Sequence, residues 1–400
     1  MEQPMVLRAG SVLQVLQQKQ AAFAQFDQQA ATAHHQYSRA LATLSQWSWL
    51  EIAHACAGIP SPGAIPTAEW DQGQSWCVPF GHTWENREHS QEWVQATIAN
   101  IATFAVDGSH LYPGKDISLP IALIQIGWYE NRHTAQGDYE KDIRVDVLTP
   151  DELGAVNSGE PKERVIAARR LQMELERLRE YLRDPPHRPA VAFFDGSLVP
   201  TFAEWFEAEE QAWYAQEFVA LLRASEQQQT PLVAYVDTTY SRDLVNLVQH
   251  VFGLPEAPHL HDAQLLSPHL TRWGDRSPYF LCARAGSQAT AMGILSQFQD
   301  MRDRVGFVYL KTGQDRYPVR LEIPVWVVEQ GLLDWVVDVV RCEVVIGAGY
   351  PYVIETADQT AVLQNSDRYQ FLRLLQTWSE QNAIRLSLSR KTVSKMQRRR

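Results

Sequence analysis

Hydrophobic and polar positions follow two different rhythms along the 400 residues. Over residues 11–50, Val12, Val15, Leu16, Ala22, Phe23 and Phe26 recur at near-helical intervals among Gln and Ala, which predicts one or two amphipathic helices. Gly58, Pro60, Pro62, Gly63 and Pro66 then predict an irregular connection over 57–82. From about residue 100 the texture changes. Residues 101–106 are apolar and stop at Asp107-Gly108-Ser109, residues 119–129 form a second apolar stretch, and residues 143–148 alternate as a strand does. Val165, Ile166, Ala168, Leu171, Leu175, Leu178 and Leu182 predict a helix over 160–183, which Asp184-Pro185-Pro186 ends. Residues 190–194 are again apolar and stop at a second Asp-Gly-Ser, Asp195-Gly196-Ser197. A helix near 201–225, a strand over 232–236 and a helix near 241–252 follow. The pattern then predicts a loop over 255–278, a helix near 287–303 and strands near 305–311 and 318–328. The last helices fall near 330–341, 353–364 and 367–382.

From 101 to 252 this order is β β β α β α β α. Three strands can form a meander, and later strands return through helices. That is the element order of an RNase H-like α/β sheet flanked by helices, here preceded by an N-terminal helical segment. The expected divisions are a helical and irregular segment over 1–95, the sheet domain over 96–370, and a helix end with a basic tail over 371–400. Sheets of this kind place functional groups where adjacent strands end and helices begin. Asp107 ends the first strand and Asp195 the fourth, and these strands are neighbours in such a sheet, so both carboxylates emerge side by side. Glu174 sits mid-helix in the element before the fourth strand and can join them. Converging carboxylates repel unless positive charge lies between them. Hard divalent cations, Mn²⁺ or Mg²⁺, suit oxygen ligands. Two such ions about 4 Å apart can clamp a phosphodiester and activate water. Gly108 and Gly196 allow sharp turns and close approach of a phosphate. Ser109 and Ser197 are candidates to contact that phosphate or to hold a carboxylate.

Plainer readings stand beside these. Asp-Gly-Ser is ordinary turn chemistry; two copies, each closing a predicted strand at ordered positions, carry more weight than one. Glu174 shares its helix with Glu163, Glu176 and Glu180, where solvated glutamate is the usual case, and Glu176 is its rival.

Composition narrows the function classes. The N-terminus lacks a basic start followed by an apolar run, and no stretch approaches the length of a membrane span. The expectation is a cytoplasmic protein. Cys56, Cys77, Cys282 and Cys342 are too scattered for a zinc ribbon or a CxxC redox pair. The net charge of −11 argues against a protein that coats DNA nonspecifically, but not against an enzyme with a local basic track. The tail from 385 to 400 holds seven basic residues and no acidic one. Arg390, Lys391 and Lys395 could touch DNA backbone there; a solvated tail is the equal alternative. Gly347-Ala348-Gly349 starts a dinucleotide-type glycine pattern, but the third glycine is missing and Pro351 intrudes.

The segments Phe104-Ala105-Val106-Asp107-Gly108-Ser109, Arg170-Leu171-Gln172-Met173-Glu174 and Phe193-Phe194-Asp195-Gly196-Ser197-Leu198 resemble three motifs of the NurA nucleases, in order and spacing. The likeness continues through Arg320-Leu321-Glu322-Ile323-Pro324 and Gly349-Tyr350-Pro351, over roughly 95–370. The resemblance implies a Mn²⁺-dependent nuclease that cleaves single-stranded DNA and resects ends 5′ to 3′ in double-strand break repair. It also implies a ring-like homodimer working with a hexameric HerA-type ATPase. No Walker A motif is present, so ATP-driven movement would come from that partner. Two positions depart from the family pattern. The family pairs its late Tyr, here Tyr350, with a His eight residues on, and this chain has Asp358. Aspartate can ligate a metal but cannot donate an imidazole proton. Asp358 is either a fourth carboxylate of the site or a solvated helix residue, and Tyr350 either a site residue or a core aromatic. Asp237 occupies a place where relatives carry Lys, with Arg242 the candidate to supply the charge. The missing His supports an alternative: a catalytically silent dimeric scaffold or DNA clamp for a HerA-type motor.

Overall fold

The computed structural model describes residues 8–72, 76–112, 117–154, 162–284 and 293–390. The chain begins with helices α1 (Ala9–Gln18), α2 (Gln20–Leu44) and α3 (Trp49–Cys56), strand β1 (Gly63–Pro66) and helix α4 (Arg87–Ile98). Strands β2 (Ala102–Leu111), β3 (Ala122–Asn131) and β4 (Tyr139–Leu148) follow. Helix α5 (Lys162–Arg183), β5 (Ala190–Asp195), α6 (Ala208–Gln228), β6 (Leu232–Val236) and α7 (Asp243–Phe252) alternate after them. Then come α8 (Asp262–Leu266), β7 (Phe280–Ala283), β8 (Val305–Leu310) and β9 (Val319–Pro324). Four helices close the chain: α9 (Val325–Glu329), α10 (Leu333–Ile346), α11 (Tyr352–Ala361) and α12 (Asn365–Gln381).

The strands form one mixed sheet in the order β1-β7-β8-β9-β6-β5-β2-β3-β4. Strands β2, β3 and β4 make an antiparallel meander. Strand β5 runs parallel to β2, and β6 parallel to β5. This half is the RNase H-like sheet that the element order predicts. Beyond β6, strands β9, β8, β7 and β1 extend it antiparallel.

Helices cover both faces, which is why the central strands are continuous apolar runs. Residues 102–106 are all buried. Phe104, Val106 and Phe194 join one core with Leu175 and Leu178 of α5 and Phe218 of α6. Ala105, Phe193 and Tyr235 join the other with Val336 and Val340 of α10 and Ala357 of α11. Alternating side chains thus serve opposite cores.

Five expectations are corrected. Strand β2 does not end at Asp107 but continues through Asp107-Gly108-Ser109 to Leu111, held by its pairing with β3. The predicted strand near 318–328 ends at Pro324, and 325–329 form α9. The stretch over 57–82 is not wholly irregular, because Gly63–Pro66 pairs with Phe280–Ala283. The predicted loop over 255–278 contains the one-turn helix α8, and β7 follows it. Within the predicted helix near 287–303, residues 285–292 lie outside the described residues, and the rest forms two short 3-10 turns at 294–297 and 299–301. Elements of three to five residues are too short to show a period, so pairing and packing decide them. The N-terminal segment joins the core: Tyr37, Leu41 and Leu44 of α2 are buried on the α5 side of the sheet.

Candidate active site

The register of two parallel strands sets the geometry. Ala105 of β2 pairs with Phe193 of β5. Asp107 and Asp195 each lie two residues further on, so both carboxylates leave the same sheet face on adjacent strands, which run about 4.8 Å apart. The next strand repeats the pattern: Asp195 pairs with Tyr235 of β6, and Asp237 lies two residues beyond it. The face is that of Ala105 and Tyr235, covered by α10 and α11.

Helix α11 delivers the fourth carboxylate. Gly127 of β3, which opposes Asp107, has no side chain because the end of α11 lies directly on it; a Cβ there would sit 2.6 Å from Ala361 N. Ser109 Oγ donates to Ala361 O at 2.8 Å and accepts from Leu363 N at 3.0 Å, fixing the end of that helix. Asp358, exposed and one turn back from that end, then stands against Asp107. The turn between α10 and α11 carries Tyr350. Its hydroxyl donates to Asp195 Oδ1 at 3.0 Å, and its ring packs edge-on against Tyr235 at 5.2 Å. Tyr350 is therefore both a packed aromatic and a partner of the site.

Glu174 enters from the opposite face. Gly108 follows Asp107, so its missing side chain would point toward α5. A Cβ there would collide with Glu174 Oε1 and lie 2.7 Å from Arg170 Cγ. Glu174 is buried, and its Oε1 has no hydrogen-bond partner. Arg170 donates to Gly108 O at 2.9 Å, and its Nε lies 3.5 Å from Glu174 Oε1. The rival Glu176 is half-buried and acts instead on Arg144 of β4.

Electrostatics match this crowding. Burial pushes the Asp107 carboxyl up to about 6; the Gly108 N–H, 2.7 Å from Oδ1, opposes the shift, while Asp358 and Asp195 add to it. Burial lifts Glu174 to about 8 against the pull of Arg170, with Asp107 and Asp195 contributing. Asp195 is solvent-accessible, yet the protein packed around it raises its pKa, Tyr350 opposes, and Asp358 and Asp237 raise it further. These are carboxylates under mutual repulsion. Among the described residues, no three His, Cys, Asp or Glu side chains are arranged to hold one metal ion. The carboxylates instead approach, from two faces, the point where the β2–β5 pairing ends.

Other expected contacts fall elsewhere. Ser109 is engaged with α11. Ser197 Oγ donates to Glu322 Oε2 at 2.8 Å. Arg242 sits at the N-cap position of α7 without a side-chain cap hydrogen bond, with Glu256 3.9 Å away, and it is not among the groups acting on Asp107, Glu174 or Asp195; Arg170 brings the positive charge there. Arg390 is exposed, while Lys391 and Lys395 lie outside the described residues. Asp237 belongs beside Asp195, which the register would have shown once β5 and β6 were taken as parallel neighbours. Glu322 carried only a motif resemblance, with no local pattern pointing to a role.

A family model described as NurA domain matches residues 101–363. No curated protein matches significantly. Among solved structures, a crystal structure of NurA with manganese is 9% identical, covers 73% of this chain and 94% of its own, and superposes with a TM-score of 0.39. NurA bound to dAMP and manganese is 9% identical, with coverage of 76% and 95% and a TM-score of 0.36. The catalytic domain of human Endonuclease V is 13% identical, with coverage of 72% and 98% and a TM-score of 0.31. The family match runs from the first strand of the meander to just past α11, well over half of the chain. The chain belongs to the NurA family.

Proposed function

We propose that this chain is a divalent-metal-dependent DNA nuclease, cutting single strands internally and degrading ends 5′ to 3′ during the resection of double-strand breaks. One observation carries the reading: Asp107 and Asp195 emerge on one sheet face with Asp358 against Asp107, and Glu174 closes on the neighbouring Gly108 with a buried oxygen that accepts no hydrogen bond. Carboxylates that raise one another's pKa and a buried oxygen that accepts no hydrogen bond fit a hard cation. Asp107, Glu174 and Asp195 would hold Mn²⁺ or Mg²⁺, with Asp358 as a further oxygen ligand. Such ions, when bound, supply the charge that activates water and steadies the leaving oxygen of a phosphodiester.

The chain's own groups do the positioning. The Gly108 N–H orients Asp107, and the Tyr350 hydroxyl fixes one oxygen of Asp195. Arg170 ties Glu174 to the strand through Gly108 O. Bare Gly108 lets Glu174 and Arg170 pack directly against the strand beside Asp107. The nuclease unit is assigned to 96–370, with DNA backbone contacts from Arg390, Lys391 and Lys395. A homodimer served by a HerA-type ATPase completes the proposal.

The test is incubation of end-labelled single-stranded DNA with Mn²⁺, beside a D107A control and a chelated sample. Cleavage that D107A and chelation both abolish is the expected result. Cleavage indifferent to D107A removes this site. Metal-loaded wild type that binds DNA without cutting it leaves the scaffold reading.

A further inference from the structure

Two strands away from Asp195 lies a group of charges that the proposed chemistry does not use. Glu322 and Arg320 of β9 and Asp243 of α7 are almost fully buried. Arg320 Nε donates to Glu322 Oε1 at 2.8 Å, and Nη1 to Asp243 Oδ2 at 2.9 Å. Arg284 donates to Asp243 Oδ1 at 2.7 Å and to Glu322 Oε1 at 3.1 Å. One carboxylate oxygen of Glu322 thus serves the two arginines. The other is turned outward from the group. Glu322 Oε2 accepts from Ser197 Oγ at 2.8 Å and from Leu198 N at 2.7 Å. Those are the residues that follow Asp195.

The register explains the reach. Phe194 pairs with Ala234, and Ala234 with Glu322, so Glu322 lies level with the end of β5 and one strand removed from it. Ala234 places only a methyl group between them. Asp195 leaves the sheet on the opposite face, so Glu322 holds the turn from behind. That turn needs holding. Gly196 sits at φ +136°, a conformation with no intrinsic preference to keep Asp195 on target. Burial alone would raise the Glu322 carboxyl; Arg320 above all, then Arg284 and Ser197, outweigh it and keep it below the ordinary glutamate range. A buried ion group of this kind gives little net stability over a well-packed apolar replacement, whereas it does fix geometry.

We propose that Glu322 is the positioning residue for Asp195, holding the Asp195-Gly196-Ser197 turn through Ser197 Oγ and the Leu198 amide. It touches none of the site's carboxylates and acts through the turn. The proposal rests on the nuclease reading for its functional consequence, but the restraint on the turn can be measured without it.

The experiment follows amide hydrogen exchange of the segment 195–200 in metal-free protein, for wild type, E322Q and S197A. Single-turnover and steady-state cleavage of single-stranded DNA with Mn²⁺ is measured on the same proteins. E322Q should speed Leu198 exchange about tenfold or more and leave β8 exchange unchanged. It should lower kcat about 10- to 100-fold with KM nearly constant, because misplacement of a reacting group acts on the chemical step. S197A removes one donor, leaves the ion group intact and should give a smaller change in the same direction. Where E322Q exchanges faster throughout, it has lost the fold, and S197A decides. Leu198 exchange as slow as wild type overturns the proposal whatever cleavage does. Faster exchange with unchanged kcat overturns it as well. A wild type that does not cleave defeats the nuclease reading separately, and the exchange comparison still decides whether Glu322 holds the turn.

Discussion

At the scale of single residues, the site is a balance between burial and repulsion, and its pH behaviour follows. Glu174 holds its proton up to about 8, against 4.5 ordinarily. A folded-state pKa raised above the unfolded one gives stability that is complete at low pH and lost as pH rises through that interval. E174Q should therefore match wild type below about pH 4.5 and melt higher at pH 8 without metal, by on the order of 2 kcal/mol. Mn²⁺ should then stabilise wild type and not E174Q; calorimetric melting at several pH values checks both. G108A should drive Glu174 and Arg170 off the strand, cost about 1–3 kcal/mol and weaken Mn²⁺ binding. Tyr350 lowers the pKa of Asp195 by its hydrogen bond. Y350F should move the acidic limb of the cleavage–pH profile to higher pH, and a profile identical to wild type would leave Tyr350 as packing alone.

At the scale of elements, the site depends on where α11 lies. Its position comes from two cues at the β2–β3 pair: bare Gly127, on which its end rests, and Ser109, which bonds that end on both sides. G127A would place a Cβ against Ala361 N and lift the helix away. The expected cost is about 1–3 kcal/mol in melting, with about a tenfold loss of cleavage as Asp358 leaves Asp107. A G127A protein that melts lower and cleaves as wild type would remove Asp358 from the chemistry. The strands themselves were legible from their apolar runs, although only β5 ends at its Asp-Gly-Ser, whereas β2 runs through the first copy to Leu111. The position of α11 was not, since nothing local in residues 352–361 says which strand pair it covers. The 3.6-residue period gave the length and inner face of α5, whose burial of Glu174 then decided between it and Glu176.

At the scale of the whole molecule, one nine-stranded sheet joins the N-terminal segment to the rest. Helix α1 buries none of its residues, whereas α2 buries Tyr37, Ala40, Leu41 and Leu44. Removing residues 1–18 should leave the melting temperature of dilute protein within about 1 °C. Removing residues 1–45 should lower it by many degrees, because it strips the partner from Trp76, whose indole N–H donates to Leu41 O at 3.2 Å. Differential scanning fluorimetry distinguishes the two. What the sequence determined by itself was the set of long elements, their order, and the end of β5 at its acidic turn, because periodicity and turn chemistry act between near neighbours along the chain; that β2 continues past Asp107 to Leu111 came from its pairing with β3. Only the tertiary structure decided which of four glutamates in α5 faces the strand, that Asp237 stands beside Asp195, and that the serines and Arg242 are engaged elsewhere. It also placed Glu322 behind the Asp195 turn. Those outcomes depend on strand register and on elements docking from other parts of the chain, and a contact between residues that are not near neighbours in sequence leaves no local trace.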